Sequence, residues 1–201
     1  RRHSFPTRRS SDLDGSRGIE VGSNLVVTPF SRDSVGIALA AGTSQPQATA
    51  DGQPDGTAVV PMTVRVRNYA DSALFDLQIR QLLEGSSPTY QLGTYTPAAV
   101  PGPGQYTVVP GSLRVQGLTG SLTSAAVASS FTGQPTADRL LAAGARLAPQ
   151  GELALVYDLR VNLQGREQIL YTSARVEAAR EAQGSPDVTD DSVNGTDPDP
   201  L

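Results

Sequence analysis

Apolar and polar residues alternate with a period of two in several stretches of the chain, the pattern of β-strands with one face turned to a core. From Val59 to Asn68, Val60, Met62, Val64 and Val66 alternate with Thr63, Arg65 and Arg67, and Pro61 near the start suggests an edge position or strand entry. After a turn at Tyr69-Ala70-Asp71-Ser72, Phe75, Leu77 and Ile79 alternate with Asp76, Gln78 and Arg80, predicting a second strand antiparallel to the first. The longest alternation sets Leu153, Leu155, Tyr157, Leu159, Val161 and Leu163 against Ala154, Asp158, Arg160 and Asn162. Gln164-Gly165-Arg166 then reads as a hairpin turn, and Ile169 to Ala178 as a return strand able to pair with its predecessor.

Shorter signals fill in the rest. Val35 to Ala41 predicts an early strand, and Tyr106–Val109, Pro110-Gly111-Ser112 and Leu113–Val115 predict a strand, a turn and a strand. Residues 42–57 carry two glycine turns and no periodicity, so they read as a loop, and 85–105 hold Pro88, Pro97, Pro101 and Pro103 in a long connection. Only Leu140–Arg146 and Glu177–Gln183 suit short helices. About seven strands with turns between them predict an all-β fold, an antiparallel β-sandwich with long loops and disordered termini. The expected division is a linker or the end of a preceding unit over 14–33, the sandwich over 34–184, and an acidic connector over 185–201.

The first thirteen residues differ from the rest of the chain. The run HSFPTRRSSDL, His3 to Leu13, resembles the in-frame translation of a sequencing adapter, and no apolar stretch of a signal peptide comes after it. We therefore leave 1–13 out of the fold reading and expect any true signal peptide upstream. Without them the balance moves from 16 basic and 20 acidic residues to 12 and 19, a net of −7. That sign disfavours nucleic acid and anionic membrane surfaces as partners.

Three missing residue types narrow the chemistry further. There is no cysteine, which removes disulfides, zinc thiolates and thiol nucleophiles. There is no histidine apart from His3, which removes Ser-His-Asp and Cys-His catalysis and most transition-metal sites. There is no lysine, which removes the P-loop cation, Schiff bases and lysine isopeptide cross-links. Carboxylates, hydroxyls and arginines are what is left.

The order of motifs resembles the domain of unknown function 11 repeat family of bacterial surface and secreted proteins, over roughly residues 34–200. The resemblance is carried by Arg67-Asn68 with Leu74 to Ile79, by Val109 to Ser112, and by Asn194 to Pro200. Gln150 departs from it, standing between Pro149 and Gly151 where the family has Pro-Gly directly, and Tyr171-Thr172-Ser173-Ala174 lacks the usual asparagine. The resemblance implies an immunoglobulin-like sandwich in tandem arrays, an extracellular or cell-surface location, neighbouring modules of the same chain as partners, and no catalytic residues.

The acidic tail is the best candidate for chemistry. Asp187, Asp190, Asp191, Asp197 and Asp199, with Asn194, gather five carboxylates in thirteen residues, an oxygen-rich set of the kind calcium takes. The spacing is not that of an EF-hand, and Pro198 and Pro200 suit a stiff solvated connector equally well. Asn194-Gly195-Thr196 is a glycosylation sequon and also a tight-turn sequence. Tyr90, Tyr95 and Tyr106 flank the 85–105 loop and offer a carbohydrate or peptide surface, or half-buried sandwich positions. The acid pairs Asp71/Asp76 and Asp138/Asp158 are of a type able to do glycosidase work, and nothing in the sequence brings either together. Arg65, Arg67 and Arg80 read as a solvated face, with Asp158 or Glu152 as cross-strand partners. The resulting expectation is a non-catalytic spacer module with no cofactor other than structural calcium. The alternative is an adhesion module binding carbohydrate or peptide through 85–105.

Overall fold

The computed structural model describes residues 35–83, 93–94, 106–121, 123–162 and 170–198, with backbone alone at 93–94 and 170–171. The adapter-like segment, the 14–33 linker, the 164–166 turn, Asp199 and most of 85–105 lie outside the described residues. Among those described there is no helix, and two sheets face each other across a hydrophobic core.

The large sheet contains seven strands, β1 (Val35–Ala41), β2 (Gln45–Ala48), β3 (Pro54–Asn68), β6 (Tyr106–Val108), β7 (Arg114–Thr119), β8 (Glu152–Asn162) and β12 (Val193–Asn194). The small sheet contains β4 (Phe75–Arg80), β10 (Arg175–Ala179) and β11 (Val188–Asp191), and a separate two-stranded ribbon pairs β5 (Gly93–Thr94) with β9 (Leu170–Tyr171). Two pairs in the large sheet act as single interrupted strands. β1 and β2 run one after the other along β3, and β6 and β7 run one after the other along β8. The order across the large sheet is therefore β12, β1/β2, β3, β8, β6/β7, and across the small sheet β11, β10, β4.

The alternation in β3 and β8 does what period-two patterning requires. Their register sets Val64 opposite Leu155, Val66 opposite Leu153 and Met62 opposite Tyr157, and all six are buried on the same inner face. Pro61 lies in a central strand rather than at an edge. Its carbonyl accepts from Gly42 N at the break between β1 and β2, so its missing N–H faces a gap in the pairing and leaves no partner unmatched.

Several expected pairings differ in the structure. Residues 42–57 are not simply a loop, because β2 and the first residues of β3 close a hairpin there around Gly52. β4 does not pair with β3. The chain crosses at 69–74 to the other sheet, where β4 pairs with β10. The return segment likewise splits, with β9 on β5 and β10 between β4 and β11. Glu177–Ala179 belongs to β10, and Leu140–Arg146 lies extended beside β4, held by Leu140 N to Ile79 O and Leu77 N to Ala145 O. Residues 124–128 line its far side, through bonds such as Ser124 N to Arg146 O.

β4 also carries a bulge. Gln78 faces Glu177 and Phe75 faces Ala179, so Asp76 and Leu77 together oppose Ala178 alone. Asp76 takes the left-handed conformation, φ 49°. The extra residue shifts the alternation: Leu74, Leu77 and Ile79 point into the core, while Phe75 leaves it and lies under the Arg146 guanidinium at 4.5 Å.

Within the acidic tail, residues 188–194 contribute strands to both sheets. Val188–Asp191 is a full strand of the small sheet, and Val193–Asn194 crosses to the large sheet and pairs parallel with Ala38–Leu39. At Gly195, φ 126°, whose nitrogen donates to Leu39 O, the chain reverses. It then reaches Pro198, whose carbonyl accepts from Tyr69 Oη at 2.9 Å and packs over Gly36, where no Cβ stands in the way. Val35 and Pro198 thus lie at the same pole. At the opposite pole stand the 49–52 turn, Tyr106, Asn162 and the start of β10.

Candidate functional site

The tail carboxylates are engaged one by one. Asp187 accepts from the Arg180 backbone nitrogen at 3.0 Å and from Arg180 Nη1 at 3.2 Å. The half-buried Asp190 accepts from Ile37 N at 3.0 Å, tying β11 to β1. Asp191 forms a two-point pair with Arg175, Nε to Oδ1 and Nη2 to Oδ2, each at 2.8 Å. Asn194 and Asp197 are exposed. Among the described residues no group of three or more acids, histidines or cysteines stands close enough to hold a metal ion. Asp199, the remaining acid of the expected calcium set, lies outside those residues. Successive strand residues point to opposite faces, so Asp190 and Asp191 diverge, and the reversal at Gly195 carries Asp197 away from both.

The other candidates disperse as well. Tyr90 and Tyr95 lie outside the described residues, and Tyr106 is buried on β6 as part of the core. Asp138 sits beside Arg80 at 3.7 Å on the small-sheet side, while Asp158 lies on β8 opposite Pro61 in the large sheet. Asp71 lies in the crossing turn near Gln150 Nε2, 3.4 Å away, and Asp76 lies on the bulge. Of the arginines, Arg65 pairs with Glu152 at 3.2 Å as anticipated, and Arg80 reaches both Asp138 and Glu177. Arg67 instead stacks over the Tyr69 ring at 4.9 Å.

Two buried polar groups are central to the fold, and sequence reasoning misses both. Asn68 is fully buried where β3 ends. Its Nδ2 donates to Ser72 O at 2.7 Å and to Ala148 O at 2.9 Å, and its Oδ1 accepts from Ala70 N at 2.9 Å, which pins the crossing between sheets. Gln150, at φ 54°, completes that corner by donating to Tyr69 O at 2.8 Å. Deep in the core, Tyr157 Oη donates to Gln81 Oε1 at 2.6 Å and Gln81 Nε2 donates to Thr172 Oγ1 at 2.9 Å. Burial holds the Tyr157 hydroxyl well above its ordinary pKa, only partly offset by the bond to Gln81. Phe131 packs edge-on against that ring, centroids 5.4 Å apart. A signal for both polar residues does exist in the pattern: each extends an inward-facing series, Asn68 after Val64 and Val66, Gln81 after Leu77 and Ile79.

Each of these networks joins one strand or turn to another. Among the described residues no helix is long and apolar enough to cross a membrane. Compared with known proteins, the chain matches no family model, no curated protein and no solved structure.

Proposed function

We propose that this chain is a non-catalytic structural module of an extracellular bacterial protein, an immunoglobulin-like sandwich that holds other parts of its protein in place. The observation that carries this reading is the use of its polar chemistry. The arginine–acid pairs, the Asn68 corner and the Tyr157–Gln81–Thr172 chain all join one strand or turn to another. The strand order supports the immunoglobulin-like part. Taken in chain order, β1, β3, β8 and β6/β7 correspond to strands A, B, E and D, and β11, β10 and β4 to G, F and C, the order of a constant-type domain. The absence of cysteine leaves such a domain to rely on its core and hydrogen bonds.

A second reading, adhesion through the 85–105 loop, is favoured by one observation. That loop is attached at Leu83 and Tyr106, on the far side of the sandwich from Val35 and Pro198. The test is a screen of the whole chain against glycan and peptide arrays and against glycoside and peptide hydrolysis. The structural reading expects neither binding through the loop nor turnover. A reproducible array signal lost on deleting 88–103 would replace it with adhesion, and turnover abolished by a single Asp→Asn change would replace it with catalysis.

A further inference from the structure

β12 ends in Asn194-Gly195, a dipeptide able to react with itself. Of the four asparagines in the chain, Asn24, Asn68, Asn162 and Asn194, only Asn194 precedes a glycine, so no side chain shields the backbone nitrogen that follows it. Asn194 is exposed, whereas Asn68 is fully buried with its amide bonded to Ala70, Ser72 and Ala148. The reaction closes a ring. The Gly195 nitrogen gives up its proton and attacks Asn194 Cγ; the N–Cγ bond forms, the Cγ–Nδ2 bond breaks, and the amide nitrogen takes a proton and leaves as ammonia. Water then opens the cyclic imide at one carbonyl or the other. The products are aspartate and isoaspartate, the second with its main chain running through Cβ and Cγ. Water is the one co-reactant in this balance.

The fold opposes both steps of ring closure. Asn194 is held in a strand opposite Leu39, and the ring needs its ψ turned far from the extended value of a strand. The Gly195 nitrogen donates to Leu39 O at 3.0 Å, which keeps the proton on the atom that must lose it. Further along, Tyr69 Oη holds Pro198 O at 2.9 Å and keeps the returning chain seated over Gly36. We propose that Asn194 is a self-modification site gated by the docked tail, in which undocking of 194–198 starts the reaction and the product no longer docks. Isoaspartate puts an extra backbone atom between the residue facing Leu39 and the nitrogen bonded to Leu39 O, so the two contacts no longer fit together. Either product also adds a carboxylate three residues from Asp191 and three from Asp197. The outcome is a slow, one-way release of the tail that leaves the Ala38–Leu39 edge of β1 without its parallel neighbour. The proposal does not rest on the structural reading of the module, and its failure leaves that reading standing.

The test incubates the whole chain at mildly alkaline pH and follows it by intact mass and by peptide mapping with electron-transfer fragmentation, which separates isoaspartate from aspartate. Exchange of an amide for an acid raises the mass, whereas isomerisation at Asp51-Gly52 or Asp55-Gly56 leaves it unchanged. The samples are the native chain, the chain unfolded in guanidinium, and the variants Gly36→Ala and Tyr69→Phe, which loosen the seat of Pro198 without altering 194–195. Tyr69→Phe loses a single hydroxyl, so it carries the test if Gly36→Ala does not fold. Asn194 is expected to react ahead of the other three asparagines, and about tenfold more slowly in the native chain than in the unfolded one, the equivalent of one hydrogen bond. The variants move the native rate toward the unfolded rate. In the modified chain, hydrogen exchange is fast at the Gly195 amide and remains slow at Val64 and Leu155. Equal rates in the native and unfolded chains, variants that react no faster than the native chain, or a modified chain whose Gly195 amide stays protected overturns the proposal.

Discussion

The Asp190 carboxylate accepts the backbone N–H of Ile37 at 3.0 Å, a bond between residues 153 positions apart that joins the small sheet to the large one. Asp191, the next residue, turns outward to Arg175, with 45% of its side chain exposed. Removing the half-buried acceptor leaves a backbone donor unmatched, whereas removing the exposed pair loses an interaction already screened by water. We expect Asp190→Ala to lower the unfolding free energy by about 1–3 kcal/mol and Asp191→Ala by less than about 1 kcal/mol. Urea denaturation checks the order, and the reverse order would remove Asp190 as the tie between sheets.

The return of the tail to β1 depends on Gly36. A Cβ there would run into the Pro198 carbonyl and crowd the Tyr69 ring. Gly36→Ala is expected to lift residues 195–198 and break the Tyr69 Oη bond to Pro198 O while the sheets persist. Hydrogen exchange reads this directly: the Gly195 amide, which donates to Leu39 O, exchanges faster in the variant, and the Val64 and Leu155 amides of the central strands do not. Equal exchange at Gly195 in both proteins would show that the tail is held by other contacts.

The bulge at Asp76 makes a third prediction. At φ 49° a β-branched side chain is strained, whereas glycine is at ease. Asp76→Val is expected to destabilise by about 1–2 kcal/mol, and Asp76→Gly to be neutral or slightly stabilising by thermal unfolding. Two variants of equal stability would mean that β4 relaxes out of the bulge.

The share of this fold that is legible in the sequence depends on what each pattern encodes. A period of two fixes which face of a strand is buried, so the inner faces of β3 and β8 read correctly from Val60 to Val66 and from Leu153 to Val161. It does not name the partner strand, because inward residues look alike whichever neighbour the strand joins; hence the pattern suggests hairpins that β4 and β10 do not form. Phe75 reads as a core residue because one extra residue, Asp76, reverses the alternation without leaving a glycine to mark it. The tail reads as a connector for a different reason. Its charge and prolines suit a solvated segment, and partners such as Arg175, Ile37 and Tyr69, on other elements of the fold, hold it against the sheets.

Tyr157 gives the last prediction, one of pH. Its buried hydroxyl keeps its proton well above the ordinary value of 10.0, while in the unfolded chain it ionises near that value. The folded state therefore binds more protons than the unfolded state above pH ~10, and stability that is fully present below that pH is lost as the pH rises, by about 1.4 kcal/mol per unit. Tyr157→Phe removes this titration but leaves Gln81 Oε1 without its donor, so it starts about 1–3 kcal/mol less stable at neutral pH. Urea unfolding from pH 7 to 11 should show the two proteins separated by a constant gap up to about pH 10, with the gap narrowing above it. Curves that stay parallel throughout would mean that water reaches the Tyr157 hydroxyl and that the core beside Phe131 is open to solvent.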